Sequence, residues 1–183
     1  MRDLASVAAG FSKDVISRQR RRQLDPYDFD QLKETGFLLT GVPADQGGLW
    51  KGPARSARAY SQMVRTIAHG DPSVALVASM HPAVTGFFLG VESVDDEPLA
   101  WRVQRQWVIE SAREHWWGTV TSEPGSGGDI LKTRSIATPE KDHFLTTGDK
   151  HFGSGSGQAD FMITTAKVKG SELPELFFFA KQG

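Results

Sequence analysis

The chain has 183 residues, no cysteine, and 21 Lys and Arg against 22 Asp and Glu, for a formal charge of -1. The missing thiols exclude disulfides, cysteine-ligated zinc or iron–sulfur centres and cysteine nucleophiles, and the balanced charge argues against a dedicated nucleic-acid binder. The opening MRDLAS has no apolar run of the kind a secretion signal needs, and no stretch approaches the ~20 apolar residues that cross a bilayer, so a cytoplasmic protein with no membrane contact is expected.

Up to residue 115 the apolar spacing is helical. Leu4, Ala8, Phe11 and Val15 make one stripe of a first helix. Asp25-Pro26 breaks or follows that helix, and a short second one runs through Phe29, Leu32 and Lys33 to a stop at Gly36. Residues 38–43 and the DQGG at 45–48 read as loop. A third helix carries Ala57, Tyr60, Val64 and Ile67. Asp71-Pro72-Ser73 starts a fourth, with Asp as N-cap and Pro at the first helical position, where its missing N–H costs nothing. That helix is apolar nearly all round, so it should be buried, with Pro82 kinking or interrupting it near His81. Glu97-Pro98 opens a further helix through Leu99, Val103, Trp107 and Glu110.

After His115 the texture becomes β-branched and aromatic. TVT at 119–121, RSIAT at 134–138, HFLTT at 143–147, FMITT at 161–165 and ELFFF at 175–179 predict strands, with PEKD at 139–142 as a hairpin turn. Helices followed by strands predict an α+β chain: an N-terminal all-helical domain at 1–115, then an incomplete antiparallel β-barrel-like domain at 116–183. The apolar strand near the end leaves edges that another chain, or further sequence of a longer protein, would cover.

Two glycine-rich segments stand out, VTSEPGSGGD at 120–129 and GDKHFGSGSGQAD at 148–160. Such turns let backbone N–H groups approach an anion or a flat ring with no Cβ in the way, and neighbouring hydroxyls can donate to a heterocycle. Neither fits GxxxxGK[ST], nor GxGxxG between a strand and a helix. Elsewhere, His81 reads as a hydrogen-bonded core residue, and His115, His143 and His151 lack metal spacing. The RQRRR run at 18–22 reads as a solvated helix end. Trp101, Trp107, Trp116 and Trp117 read as packing residues.

In combination these landmarks resemble the acyl-CoA dehydrogenase family of flavoproteins. The family pattern is close to [VL]TEPxxGSD followed by G-x-K-x-[WF]-I-[TS]-N-[GA]. The segments GFLL…VPADQGG at 36–48 and DPSVAL at 71–76 match two upstream landmarks in the right order. The resemblance implies FAD, or FMN if the chain is a flavin-dependent monooxygenase of the same fold. It implies acyl-CoA or another small-molecule substrate, and a homo-oligomer. The reaction would be α-proton abstraction with hydride transfer to flavin N5.

By the same resemblance Thr121 and Ser122 border the flavin N1/O2 edge, Phe152 packs on the ring, and Ser154 donates toward N5. Gly128 stands where the family usually has a serine on the pyrophosphate side, with Ser126 as its substitute. Glu123 and Asp129 fix the turn. Gly153, Gly155 and Ser156 depart from the family pattern. Family members add a third, helical-bundle domain that supplies the catalytic base, so the resemblance implies a truncated form without it. An inactive fragment or helical interaction module is the remaining alternative.

Overall fold

The computed structural model describes residues 3–91 and 98–180. The chain divides into two compact units, Met1–Trp117 and Gly118–Gly183.

The first unit holds helices α1 (Leu4–Ser12), α2 (Val15–Arg20), α3 (Pro26–Glu34), α4 (Pro53–Gly70), α5 (Pro72–Gly90) and α6 (Leu99–Ser111). Aspartates start three of them. Asp3 accepts from Ser6 N–H at α1, Asp25 from Tyr27 N–H at α3, and Asp71 from the N–H groups of Ser73 and Val74 at α5. Each such cap is worth about 1 kcal/mol. Gly36, at φ 79°, turns the chain out of α3 into a 3-10 turn at Phe37–Gly41. Phe11, Phe29, Leu32, Phe37, Leu38 and Ile67 meet in one core with Val74 and Trp116. Trp116 stacks on Phe37 with centroids 5.8 Å apart and meets Phe29 edge-on at 5.3 Å.

Five sequence expectations change here. The first stripe is broken: α1 ends at Ser12, and Val15, which starts α2, is exposed. The basic run is not simply a solvated end. Arg18 lies over the Phe11 ring at 4.1 Å, grips both Asp28 oxygens at 3.1 and 2.6 Å, and reaches Asp71 at 2.7 Å. Two carboxylates offset its desolvation, which a lone cation in that place could not survive. α5 runs through Pro82 as one helix, since proline removes only one ladder bond and packing on both sides supplies the rest. α5 is also long and apolar enough, by length and composition alone, to cross a membrane. Half of it is buried, with α4 and the 3-10 turn packed against it, while Leu76 and Phe87 stay exposed, so the helix is not buried all round. Glu97 lies outside the described residues. The α6 stripe named from spacing is largely solvent-facing, with Leu99 68% and Val103 60% exposed, while Val108 and Ile109 are the buried side.

The second unit is built on an open sheet of β1 (Trp117–Thr119), β2 (Ile136–Pro139), β3 (Phe144–Thr147), β4 (Phe161–Val168) and β5 (Pro174–Ala180). β4 is central and pairs with β1, β2 and β5. It is buried from Met162 to Ala166, which explains its continuous apolar and β-branched sequence. The hairpin at 139–142 joins β2 to β3 in antiparallel register, Pro139 opposite Phe144, and β4–β5 is also antiparallel. β2 and β4 are parallel, with Ile136 opposite Lys167, so the sheet is mixed rather than antiparallel throughout. The chain goes up β2, down β3, and returns through the second glycine-rich segment to run up the other side of β2, a crossover long enough for a parallel pair.

Candidate functional site

Both glycine-rich segments lie in the second unit, and hydrogen bonds hold them together. His151 N–H donates to the Ser122 carbonyl at 2.8 Å. A Cβ placed on Gly153 would sit 3.5 Å from the Val120 side chain, so the two stretches pass in van der Waals contact.

An ion pair sets their spacing. Glu123 is buried, and its carboxylate takes four donors: Arg134 N–H at 2.7 Å, Ser135 N–H at 3.1 Å, the Ser135 hydroxyl at 2.6 Å and the Lys150 ammonium at 2.6 Å. Lys150 also donates to the Thr165 carbonyl at 2.6 Å and its hydroxyl at 3.1 Å, with a longer contact to the Thr121 carbonyl at 3.4 Å. Burial by itself raises the Glu123 carboxyl. The Lys150 ammonium, then the Ser135 hydroxyl and the two backbone N–H groups, outweigh it and hold the group at about 2. In the sequence, the family resemblance gives Glu123 a place in the turn and Lys150 no role. The signal was present: a Lys two residues before the aromatic of the second segment, and a Glu at the matching place of the first.

The predicted site residues fall into two groups. Thr121, Ser122 and Ser154 are half-buried. Their hydroxyls, and the N–H groups of Thr121 and Ser122, have no partner among the described residues. Phe152 is 83% exposed and is the one non-glycine residue at positive φ (57°) among those described. A left-handed phenylalanine costs about 1–2 kcal/mol, so its ring is held out of the chain's own core against a local preference. His151 meets that ring edge-on at 6.0 Å. Ser126 and Gly128, by contrast, serve the turn. The buried Ser126 hydroxyl donates to the Glu123 carbonyl at 3.0 Å and accepts from Gly128 N–H at 3.3 Å. Gly128 sits at φ 85°, a conformation that a serine would adopt only with strain.

His81 belongs to the core of the helical unit. Trp117 N–H donates to Nδ1 at 3.2 Å, so Nε2 carries the proton and donates to the Leu38 carbonyl at 2.9 Å. Burial pushes its pKa down to about 4, against the opposing Leu38 bond.

No protein-family model matches the chain. It is 30% identical over 144 residues to glutaryl-CoA dehydrogenase of Desulfococcus multivorans, an alignment that takes in 76% of the chain and 35% of that protein. It is 24% identical over 175 residues to the mitochondrial very long-chain specific acyl-CoA dehydrogenase of Rattus norvegicus, covering 92% of the chain and 25% of that protein. Among solved structures, TdsC of Paenibacillus sp. A11-2 with FMN and indole superposes at a TM-score of 0.73 with 21% identity, over 97% of this chain and 42% of TdsC. Glutaryl-coenzyme A dehydrogenase with glutaryl-CoA superposes at 0.64 with 22% identity, over 98% of this chain and 47% of that one. The chain thus spans about a quarter to a third of these sequence relatives and under half of these solved chains. Over the part it spans, it carries the acyl-CoA dehydrogenase fold: a helical unit followed by an open mixed sheet.

Proposed function

We propose that the chain forms the flavin-facing part of an acyl-CoA dehydrogenase-like oxidoreductase acting on the CH–CH bond of an acyl thioester. One observation carries the flavin reading. Two glycine-rich turns are locked together by hydrogen bonds, yet they leave three hydroxyls and two N–H groups without a partner among the described residues, beside an aromatic ring turned outward. That set suits a flat heterocycle with polar edges, and TdsC, on the same fold, is solved with FMN. When bound, the flavin supplies the two-electron redox chemistry, accepting hydride from substrate.

The protein's part is to bind and orient. Thr121 and Ser122 offer donors to the polar edge of the ring, where negative charge grows on reduction. Ser154 offers a donor toward its reducible side, and Phe152 covers a face and excludes water. Ser126, Gly128, Glu123 and Lys150 keep those donors in place. Glu123 is unsuited to proton abstraction, because four donors hold it ionised and enclosed. The catalytic base is therefore not assigned to any described residue.

Titration of FAD and of FMN, followed by flavin fluorescence, tests the reading. Saturable 1:1 binding, weakened at least tenfold by Ser122→Ala or Ser154→Ala, supports it. No saturable binding of either flavin refutes it. A second reading is a flavin-dependent monooxygenase using FMN, favoured by the departure of Gly153, Gly155 and Ser156 from the dehydrogenase pattern. Dye-linked oxidation of an acyl-CoA, set against oxygen consumption with reduced FMN and indole, separates the two.

A further inference from the structure

The helical unit carries a cleft that the proposed flavin chemistry does not use. Its volume is about 400 Å³, within the ~300–1,000 Å³ of small-molecule sites. From α6, Arg102, Arg105 and Gln106 line it, sharing one helix face by their i, i+3, i+4 spacing. The loop at 43–50 contributes Asp45 and Trp50, and buried Leu89 and Ile109 add apolar lining.

These walls are set in advance. The loop is closed by Ala44 N–H to the Trp50 carbonyl at 2.8 Å and Trp50 N–H to the Val42 carbonyl at 2.9 Å. A Cβ on Gly48 would lie 2.0 Å from the Val42 carbonyl oxygen, so glycine is required there. The Arg113 guanidinium donates to the Gln46 carbonyl at 2.8 Å and ties the loop to the chain just beyond α6. The Trp50 ring rests beside Tyr60 at 6.1 Å, and the Tyr60 hydroxyl donates to the Thr40 carbonyl at 2.6 Å. Within this frame Arg102 and Asp45 pair neither with each other nor with any other described residue.

A guanidinium with no partner among the described residues, on a cleft with an indole wall and apolar lining, matches a ligand with one anionic end and an apolar body. The Asp45 carboxylate in the same lining repels each added negative charge, so a single carboxylate is favoured over multiply charged anions such as phosphate esters. We propose that this cleft binds a small organic monocarboxylate, its carboxylate on the Arg102 fork and its apolar or aromatic body against Trp50. The proposal is independent of the flavin reading.

Phenylacetate is the probe, titrated calorimetrically into the whole chain and followed by the Trp50 indole N–H in a 15N-correlated NMR spectrum. The expected result is saturable 1:1 binding that shifts the Trp50 signal. Arg102→Gln should weaken it at least tenfold with an unchanged circular dichroism spectrum, and Arg102→Lys should fall between. Absence of saturable binding, undiminished affinity in Arg102→Gln, or equal affinity for inorganic phosphate would overturn it.

Discussion

Replacing Lys150 by methionine removes one of the four donors to Glu123 and leaves a carboxylate whose side chain is 3% exposed without its counter-ion. Breaking a buried pair from one side costs about 3–5 kcal/mol. A unit of this size holds only about 3–10 kcal/mol in total, so Lys150→Met should leave the sheet marginal. Methionine matches the lysine stem in length, so lost packing is a minor part of the effect. Urea unfolding followed by circular dichroism, with amide exchange on β4, measures the change. In Glu123→Gln/Lys150→Met the two losses should fall short of their sum by about 2 kcal/mol, because removing both charges spares the unpaired one. A loss under about 1 kcal/mol in Lys150→Met, or strict additivity in the double variant, would refute the clamp. The same geometry sets an acid limit. Glu123 at about 2 lies below its ordinary 4.5, so its contribution, about 3 kcal/mol, is complete above pH 4.5 and lost as pH falls toward 2.

The helical unit should fail at a higher pH. His81 is held neutral, at about 4 against 6.5, so stability is complete above pH 6.5 and falls by about 3 kcal/mol as pH drops to 4. Trp50, Trp101, Trp107 and Trp116 lie in that unit and Trp117 is its last residue, at the start of β1, so thermal melts read by tryptophan fluorescence report it, and His81→Gln should flatten the slope. Gly70→Ala should lower the melting temperature although alanine is the better helix former by about 1 kcal/mol. Its Cβ would lie 2.2 Å from the Ala8 carbonyl oxygen, and overpacking of that kind costs about 1–3 kcal/mol; an unchanged melt would contradict the close approach of α1 and α4. Phe152→Gly removes left-handed strain of about 1–2 kcal/mol while adding chain entropy of about 0.5–1 kcal/mol. Urea unfolding should therefore stay within about 1 kcal/mol of the parent while flavin affinity drops at least tenfold, and a collapse in stability would show that the ring packs within the chain.

Local chemistry made much of this molecule legible from its residues. Asp71 before Pro72 marks a helix start because capping needs only neighbours two and three positions on. The turn at 139–142 and the helix-then-strand order follow from periodicity and composition for the same reason, and the glycine-rich segments stood out by residue type and spacing. What depended on distant parts of the chain became visible only in the tertiary structure. The parallel β2–β4 pair needs the path of everything between them. Arg18 changed from a solvated helix end to a buried bridge because Asp71 stands 53 residues away. Lys150 found Glu123 across 27 residues, and Phe152 took a backbone conformation contrary to its own preference. Side-chain periodicity records which face is apolar; pairing of charges and placement of an exposed ring are decided by packing between segments that local sequence does not bring together.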